Sequence, residues 1–534
     1  MRKKYAVLLL VLPLVWYACK NAKTKRDIQR DTSITELTSF NNLFLDSTSL
    51  HAFIESHKEF AAYEDQYADF YKERNYEYAW FDSSGLAEQS HNFINLLNSS
   101  IGELQDSSLY NADLYKLYEE LSADAAHHKK LKEVLQTELS FTGQFFAYAA
   151  KVYKGSDIDA AELGWFIPRK KVNLTALLDS VIQSKGKEAE QYVHLNAQYK
   201  SLQEQLSKYF SIEKKEAWDS LAKPEKKYQL LDSLPVIKRI KQRLFLLGDL
   251  ADADTTNLFD TTLLNGVKSF QRRMGLSADG VIGPKVMDEI NYPIKQRIQQ
   301  LLVNLERARW MPPQDDSVFI LVNIPEFKLH VFDSAQYKFS MNVIVGSAAN
   351  NTVIFTGKLK YIVFSPYWNV PPSIIKKEII PGIKNDPHYI AKHNMEITGY
   401  SKGEPIAIRQ KPGPTNSLGL VKFLFPNSYD IYLHDTPNRD LFSQSGRGLS
   451  HGCIRIAEPK KMAQFLLAND TTWTSLKIDS AMNNTKEKWV TIPKTVPVFI
   501  TYFTAWVDRF GKLNFRKDIY NHDQKMADKL FAKQ

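Results

Sequence analysis

The apolar positions of this chain change their period along its length. From about residue 51 to 234 they recur at the three- and four-residue spacings of one helix face. Leu96, Leu97, Leu104, Leu109 and Leu114 punctuate the first part, and Leu131, Val134, Leu135, Leu139 and Phe141 follow. Charged stretches such as Lys185 to Glu190 read as solvated faces. Residues 235–293 predict three short helices. Ile237, Ile240, Leu244 and Leu247 make the first, stopped by Gly248. Phe259-Asp260 opens the second, which Gly275-Leu276 ends. Asp279-Gly280-Val281-Ile282-Gly283-Pro284 is a turn into the third, Lys285 to Ile290. Residues 294–315 return to helix, with Ile298, Leu301, Leu302 and Leu305 on one stripe. This stripe predicts packing back onto the first helical region, with the three-helix unit inserted between.

From 317 the period becomes that of strands. Val318 to Asn323 and Lys328 to Phe332 flank a Pro325-Glu326 turn. Further strands are expected at 340–345, 354–363, 431–434 and 498–503, with helix mainly at 459–467. A charged, Pro-bearing stretch, about 374–403, interrupts them. The fold class expected is multi-domain α+β: a helical scaffold with an inserted three-helix module, then a mostly-β domain over 316–525.

The first 50 residues read differently. Arg2-Lys3-Lys4 precedes an apolar run from Tyr5 to Trp16, too short for a standard membrane span, so 1–19 reads as an export signal. Ala18-Cys19 is similar to the end of a lipoprotein signal, with Cys19 lipidated. Trp16 and Tyr17 depart from that pattern and leave an uncleaved anchor as the alternative. Residues 20–50 are polar and aperiodic, a tether. The expected location is outside the cytoplasm, in the periplasm, with the membrane as a partner of the N-terminus. The 534 residues carry a net charge of +9. That excess suits anionic polymers or headgroups, and equally a solvated surface. No basic run interleaves with aromatics, so nucleic acid is not an expected partner.

Only two cysteines occur in the chain. With Cys19 in the export segment, Cys453 is left without an intramolecular partner, in a compartment where thiols tend to pair. It stands in Ser450-His451-Gly452-Cys453-Ile454-Arg455, and upstream lies Tyr432-Leu433-His434-Asp435-Thr436. A thiol is mostly protonated at neutral pH and needs a base. His434 can take that proton and return it to a leaving amine. Attack on an amide makes an oxyanion, and the flexible Gly452 lets neighbouring backbone N–H groups converge on it. The histidines lack a partner cluster at ligand spacing, so no metal or other cofactor is expected.

Ser-His-Gly-Cys-Ile-Arg after Tyr-Leu-His-Asp-Thr-Pro resembles the signature of the YkuD-type L,D-transpeptidases. Ser365 to Ile374 and Lys411 to Phe423 are similar to the large, YcbB-like murein enzymes. The likeness extends from roughly residue 65 to 520, and Phe-Gln, Gly-Leu and Asp-Gly-Val-Ile-Gly in 235–293 resemble a peptidoglycan-binding domain. The resemblance implies a peptidoglycan substrate, both stem peptides and glycan. It makes Cys453 the nucleophile of a thioester acyl-enzyme that forms 3→3 cross-links, and His434 its base and acid. The backbone of His451 and Gly452 would hold the oxyanion, and 374–403 would be a capping lid. Arg455 is read as a substrate-carboxylate ligand or a loop buttress. Tyr432, Tyr367, Trp368 and Asn369 are read as cleft wall. Asp435 is not expected to complete a triad; a backbone carbonyl is the candidate for orienting His434. The alternatives are an L,D-carboxypeptidase or endopeptidase on the same stems, and a non-catalytic wall-binding lipoprotein.

Overall fold

The computed structural model describes residues 43–82, 85–104, 107–123, 131–169, 171–186, 197–312, 317–334, 336–401 and 403–532. The stretch read as an export signal, with Cys19, and the stretch read as a tether up to residue 42 lie outside the described residues. The chain divides into two compact units, one of residues up to 87 with 117–143, the other of 88–116 with 144 onward.

In the first unit, helix α1 (Ser47–Ser56) starts behind Asp46, whose carboxylate accepts from Thr48 N at 3.1 Å. Folded structure therefore begins inside the 20–50 stretch read as tether, with Leu45 and Leu50 buried. Helix α2 (Glu64–Glu73) contributes Tyr67, Phe70 and Tyr71 to a core shared with Trp80 and Phe141. Within it Glu138 accepts from Ala79 N at 2.7 Å, Trp80 N at 2.9 Å and the Tyr71 hydroxyl at 2.8 Å. Burial pushes this carboxyl up to about 7 against those three donors.

The second unit holds the remaining elements used here: helices α3 (Glu88–Leu104), α4 (Leu174–Gln183), α5 (Ala197–Lys215), α6 (Pro235–Leu247), α7 (Thr261–Arg273), α8 (Pro284–Ile290) and α9 (Ile294–Trp310). The three-helix module is α6 to α8. Pro235 starts α6, and Gly248, at φ +86°, ends it with an N–H bond to Phe245 O. Asp260 caps α7 through Leu263 N at 2.8 Å. Gln271 donates to Asp279 at 2.6 Å and accepts from Gly280 N at 2.8 Å, so the Phe-Gln and Asp-Gly motif residues brace one another.

Helix α9 is held on two sides. On one side Arg309 donates to Val152 O at 3.0 Å and to the Tyr199 hydroxyl at 3.1 Å, while Glu306 accepts from Ser156 N at 2.8 Å. On the other, Asn304 accepts from Thr504 N at 3.0 Å and donates to Thr504 Oγ1 at 2.8 Å. One buried helix thus ties the scaffold residues of this unit to the β domain.

That domain is a sheet closed on itself. Its strands are β1 (Trp165–Phe166), β2 (Phe319–Asn323), β3 (Lys328–Asp333), β4 (Gln336–Gly346) and β5 (Ile354–Phe364), then β6 (Trp368–Asn369), β7 (Met395–Ser401), β8 (Glu404–Gln410), β9 (Val421–Leu424), β10 (Leu433–His434), β11 (Gly448–Ser450), β12 (Ile454–Ile456), β13 (Lys488–Thr501), β14 (Ala505–Val507) and β15 (Leu513–Phe515). The order is β9-β10-β12-β4-β3-β2-β13-β5-β1, and β9 also pairs with β5, which closes the ring. Closure removes open edges, and a core including Val322, Leu329, Val343, Ile362, Phe423 and Ile500 fills the inside.

The stretch expected at 374–403 as a lid is larger and more ordered than its composition suggests. β6, β8 and β7 form a separate three-stranded sheet, joined by helical turns over 372–385. Val370, Ile375, Ile379, Met395 and Ile408 are its own core. The cap therefore runs from 368 to 410. The charges that mark it in sequence are its solvent face, with every third or fourth residue of the helical part turned inward.

Candidate active site

Strands β10 and β12 run parallel, with Leu433 opposite Ile454 and His434 opposite Arg455. β9 runs antiparallel on the other side of β10, with Lys422 opposite His434. Alternation sends Leu433 and Ile454, both fully buried, into the core. The opposite face carries a row of Lys422, His434 and Arg455. One step back along the same face, two residues before His434 and Arg455, stand Tyr432 and Cys453. The Tyr432 and His434 rings lie 5.7 Å apart. Ile454 N donates to Tyr432 O at 3.1 Å and locks this register.

Cys453 is a free thiol, partly buried, donating to Asp430 O at 3.5 Å. Asn427 shapes that turn, donating to Phe425 O at 2.6 Å and Ile431 O at 2.8 Å. Burial pushes the thiol above its ordinary value, opposed by the Tyr432 N–H and phenol and by the Arg455 charge. Burial and the same Cys453 raise the Tyr432 phenol.

His434 is buried. Its Nδ1 lies 2.6 Å from Asp435 O. A carbonyl only accepts, so Nδ1 carries the hydrogen and the lone pair sits on Nε2. Burial, then Arg455, lowers its pKa to about 3. The resting pair is therefore a neutral imidazole and a neutral thiol. Asp435 acts only through its backbone: its carboxylate accepts from Leu420 N at 2.9 Å, Thr436 N at 2.7 Å and Arg439.

The loop before Cys453 is braced from beneath. Thr352 Oγ1 donates to Gly452 O at 2.7 Å and accepts from Gly346 N at 2.8 Å. Tyr520 donates to Gly346 O at 2.5 Å. Gly452 sits at φ +117°, where a side chain is strained. Its N–H is already given to Ser450 Oγ at 3.2 Å, and that hydroxyl donates to Cys453 O at 2.6 Å. The oxyanion role read for Gly452 N–H is corrected on this ground. Among the described residues His451 and Cys453 N–H make no intramolecular hydrogen bond, so they remain as donors.

The other expected residues are placed less directly. The His451 side chain, 60% exposed, reaches Glu378 of the cap at 3.7 Å. Arg455 is half-buried; among the described residues its Nε lacks a partner and no carboxylate lies in ion-pair reach. Tyr367, Trp368 and Asn369 lead into the cap. Tyr367 N donates to Glu487 at 3.0 Å, its ring lies under Arg409 at 4.3 Å, and Trp368 packs on the cap's core. Lys422 and Thr352 escaped the sequence reading; both depend on a strand register that no local pattern reveals. Among the described residues no three His, Cys, Asp or Glu side chains are grouped to hold a metal ion.

Three comparisons bear on this site. Residues 317–492 match the L,D-transpeptidase catalytic domain model called YkuD. Residues 65–206 match a scaffold domain and 233–290 the "Putative peptidoglycan binding domain". A Haemophilus influenzae protein named "Putative L,D-transpeptidase" is 34% identical over 244 residues, 43% of this chain and 49% of that protein. The chain thus matches about half the length of this curated relative. Solved L,D-transpeptidases from Xylanimonas cellulosilytica and Stackebrandtia nassauensis each share 14% identity. The first covers 53% of this chain and 100% of its own at a TM-score of 0.18. The second covers 52% and 97% at 0.22, and neither score is high enough to bear on the fold.

Proposed function

We propose, from the premise that residues 317–492 match the L,D-transpeptidase catalytic domain model called YkuD, that the chain is a cysteine acyltransferase forming 3→3 cross-links between peptidoglycan stems. The Cys453 sulfur attacks the carbonyl carbon of the third stem residue as its proton passes to His434 Nε2. The tetrahedral oxyanion is met by the His451 and Cys453 N–H groups, one such donor being worth about 3 kcal/mol of barrier. The C–N bond to the terminal D-Ala breaks, and the imidazolium returns the proton to the leaving amine. The thioester is then attacked by the side-chain amine of a second stem. A new amide forms and the thiol is regenerated, with His434 again moving the proton.

The observation that carries this reading is the shared face of β10 and β12. It puts a free thiol and a histidine of defined tautomer on one face, Cys453 level with Tyr432 and one step along from His434, which stands between Lys422 and Arg455. Lys422 already lies 3.8 Å from Glu487, so Arg455, with no carboxylate in ion-pair reach among the described residues, is the proposed ligand of a stem carboxylate. The cap, touching His451 through Glu378, would close over the bound stem and exclude water. The same reading places the enzyme outside the cytoplasm, held at a membrane by its N-terminus, on the strength of Arg2-Lys3-Lys4 and the apolar run behind it.

Mass analysis of disaccharide-tetrapeptide incubated with the enzyme tests it. A dimer lacking one D-Ala, absent with Cys453→Ala, is the expected product. A tripeptide monomer alone would make water the acceptor and the enzyme a carboxypeptidase. No change, from folded protein, would refute the thioester route on this substrate.

A further inference from the structure

A large concavity of the second unit lies away from Cys453. It is a groove of about 1980 Å3 between the three-helix module and the β domain. Arg272 and Lys285 stand on the module wall. Tyr337 on β4, and Arg509, Phe510 and Lys517 around the β14–β15 hairpin, stand on the other.

Its charge is one-sided. Nine cationic side chains line it against two carboxylates, Glu326 and Asp508. Both carboxylates are engaged. Glu326 pairs with His330 at 2.9 Å, and Asp508 accepts from Phe510 N at 2.9 Å, Lys512 N at 3.0 Å and Asn514 Nδ2 at 3.0 Å. Among the described residues Arg272, Lys285, Arg509 and Lys517 have no carboxylate in ion-pair reach. Low-dielectric walls of one sign concentrate anions.

The groove also offers aromatic planes. The Arg509 guanidinium lies 4.3 Å from the Tyr337 ring and 4.7 Å from Phe510, and Phe510 is 72% exposed. An exposed phenyl ring beside a cation suits a ligand with both flat apolar faces and carboxylates. At the β-domain side Arg447 donates to Val343 O at 3.1 Å, Phe327 O at 3.0 Å and Gln444 O at 2.7 Å. From Arg447 the chain runs through β11 to Cys453, at most about 21 Å of extended backbone.

We propose that this groove binds a peptidoglycan strand through its sugar faces and carboxylate-bearing stems, as a composite site of module and β domain distinct from the acylation site. The proposal rests on the function argued above, because that reading supplies an acidic sugar–peptide polymer as substrate. A concave cleft fits one polymer strand, whereas a bilayer surface calls for a flat or convex apolar face.

The test uses the full chain. The Cys453→Ala protein is sedimented with isolated sacculi over a salt series, beside the same protein carrying Arg272→Glu, Lys285→Glu, Arg509→Glu and Lys517→Glu. All four positions are exposed, so folding is expected to survive. The charge-reversed protein should bind at least about tenfold more weakly, and binding of its parent should fall as salt rises. With Cys453 restored, the four changes should leave turnover of soluble disaccharide-tetrapeptide within about twofold, as expected for sites without shared partners. Unchanged sacculus binding overturns the proposal. So does joint loss of binding and soluble turnover, which would mean the changes act through the β domain. Loss of binding to phosphatidylglycerol vesicles with sacculus binding retained would make the groove a membrane face and also overturn it. Absence of soluble turnover by the unaltered enzyme would instead refute the acyl-transfer reading and leave the binding result intact.

Discussion

Cys453 and His434 are shifted in opposite directions by the same cause. Burial favours the neutral form of each, so the thiol rises and the imidazole falls to about 3. An ion pair is therefore not preformed; the proton moves when the substrate arrives. Alkylation of Cys453 by iodoacetamide should accordingly keep rising with pH beyond the ordinary thiol range, and a plateau near pH 6 would contradict a neutral pair. His434→Ala should slow acylation by substrate about 10²- to 10⁴-fold, measured by single-turnover mass analysis on protein shown to be folded. Candidate residues for the proposed chemistry were legible in the sequence because that chemistry is local. A lone thiol, an adjacent glycine and an upstream histidine carry it, and the structure sets Tyr432 and Arg455 on the same face. Gly452 is the instructive exception. Its conformational freedom was legible at φ +117°, but the capture of its N–H by Ser450 was not, because the competing acceptor is visible only once the turn is built.

The elements that carry the site are short. β10 has two residues and β12 has three, too few for a period to register. Their register, which aligns Lys422 and Arg455 with His434, is set by the closed sheet around them rather than by their own pattern. The full extent of the 368–410 subdomain is hidden in the sequence for a related reason. Its helical turns follow two prolines, and its core has only five buried apolar residues among those described, spread over 370–408. Thr352 links two elements through one hydroxyl, and Thr352→Val leaves Gly346 N and Gly452 O without it. That change should lower unfolding free energy by about 1–3 kcal/mol and reduce turnover in the folded fraction. Urea midpoints and kcat on folded protein check both, and unchanged values would show that the loop is held elsewhere.

Across the molecule, the helical, inserted-helical and β regions were legible from period alone, because each spans many turns or strands. The division of the helical region between two units was not, since it depends on contacts far apart in sequence. Burial of His434 makes stability depend on pH. Its folded pKa of about 3 lies below the ordinary 6.5, so the unfolded chain binds more protons between these values. The contribution is complete above pH 6.5 and is lost as pH falls toward 3, at no more than about 1.4 kcal/mol per unit. His522, lowered to about 4 mainly by burial, acts in the same sense. Glu138, raised to about 7, acts in the opposite one within its own unit. His434→Gln should therefore flatten the loss of stability between pH 7 and pH 5, read as the difference in urea midpoints from the unaltered protein. A parallel loss in both proteins would contradict a buried neutral His434. Cys453 is the proposed carrier of the acyl group. Intact-protein mass spectrometry after mixing with disaccharide-tetrapeptide, followed by peptide mapping, tests it most directly. A hydroxylamine-labile adduct equal to the substrate less D-Ala is expected on the peptide containing Cys453. Cross-linked product formed by the Cys453→Ala protein, or a stable adduct on another residue, would contradict it.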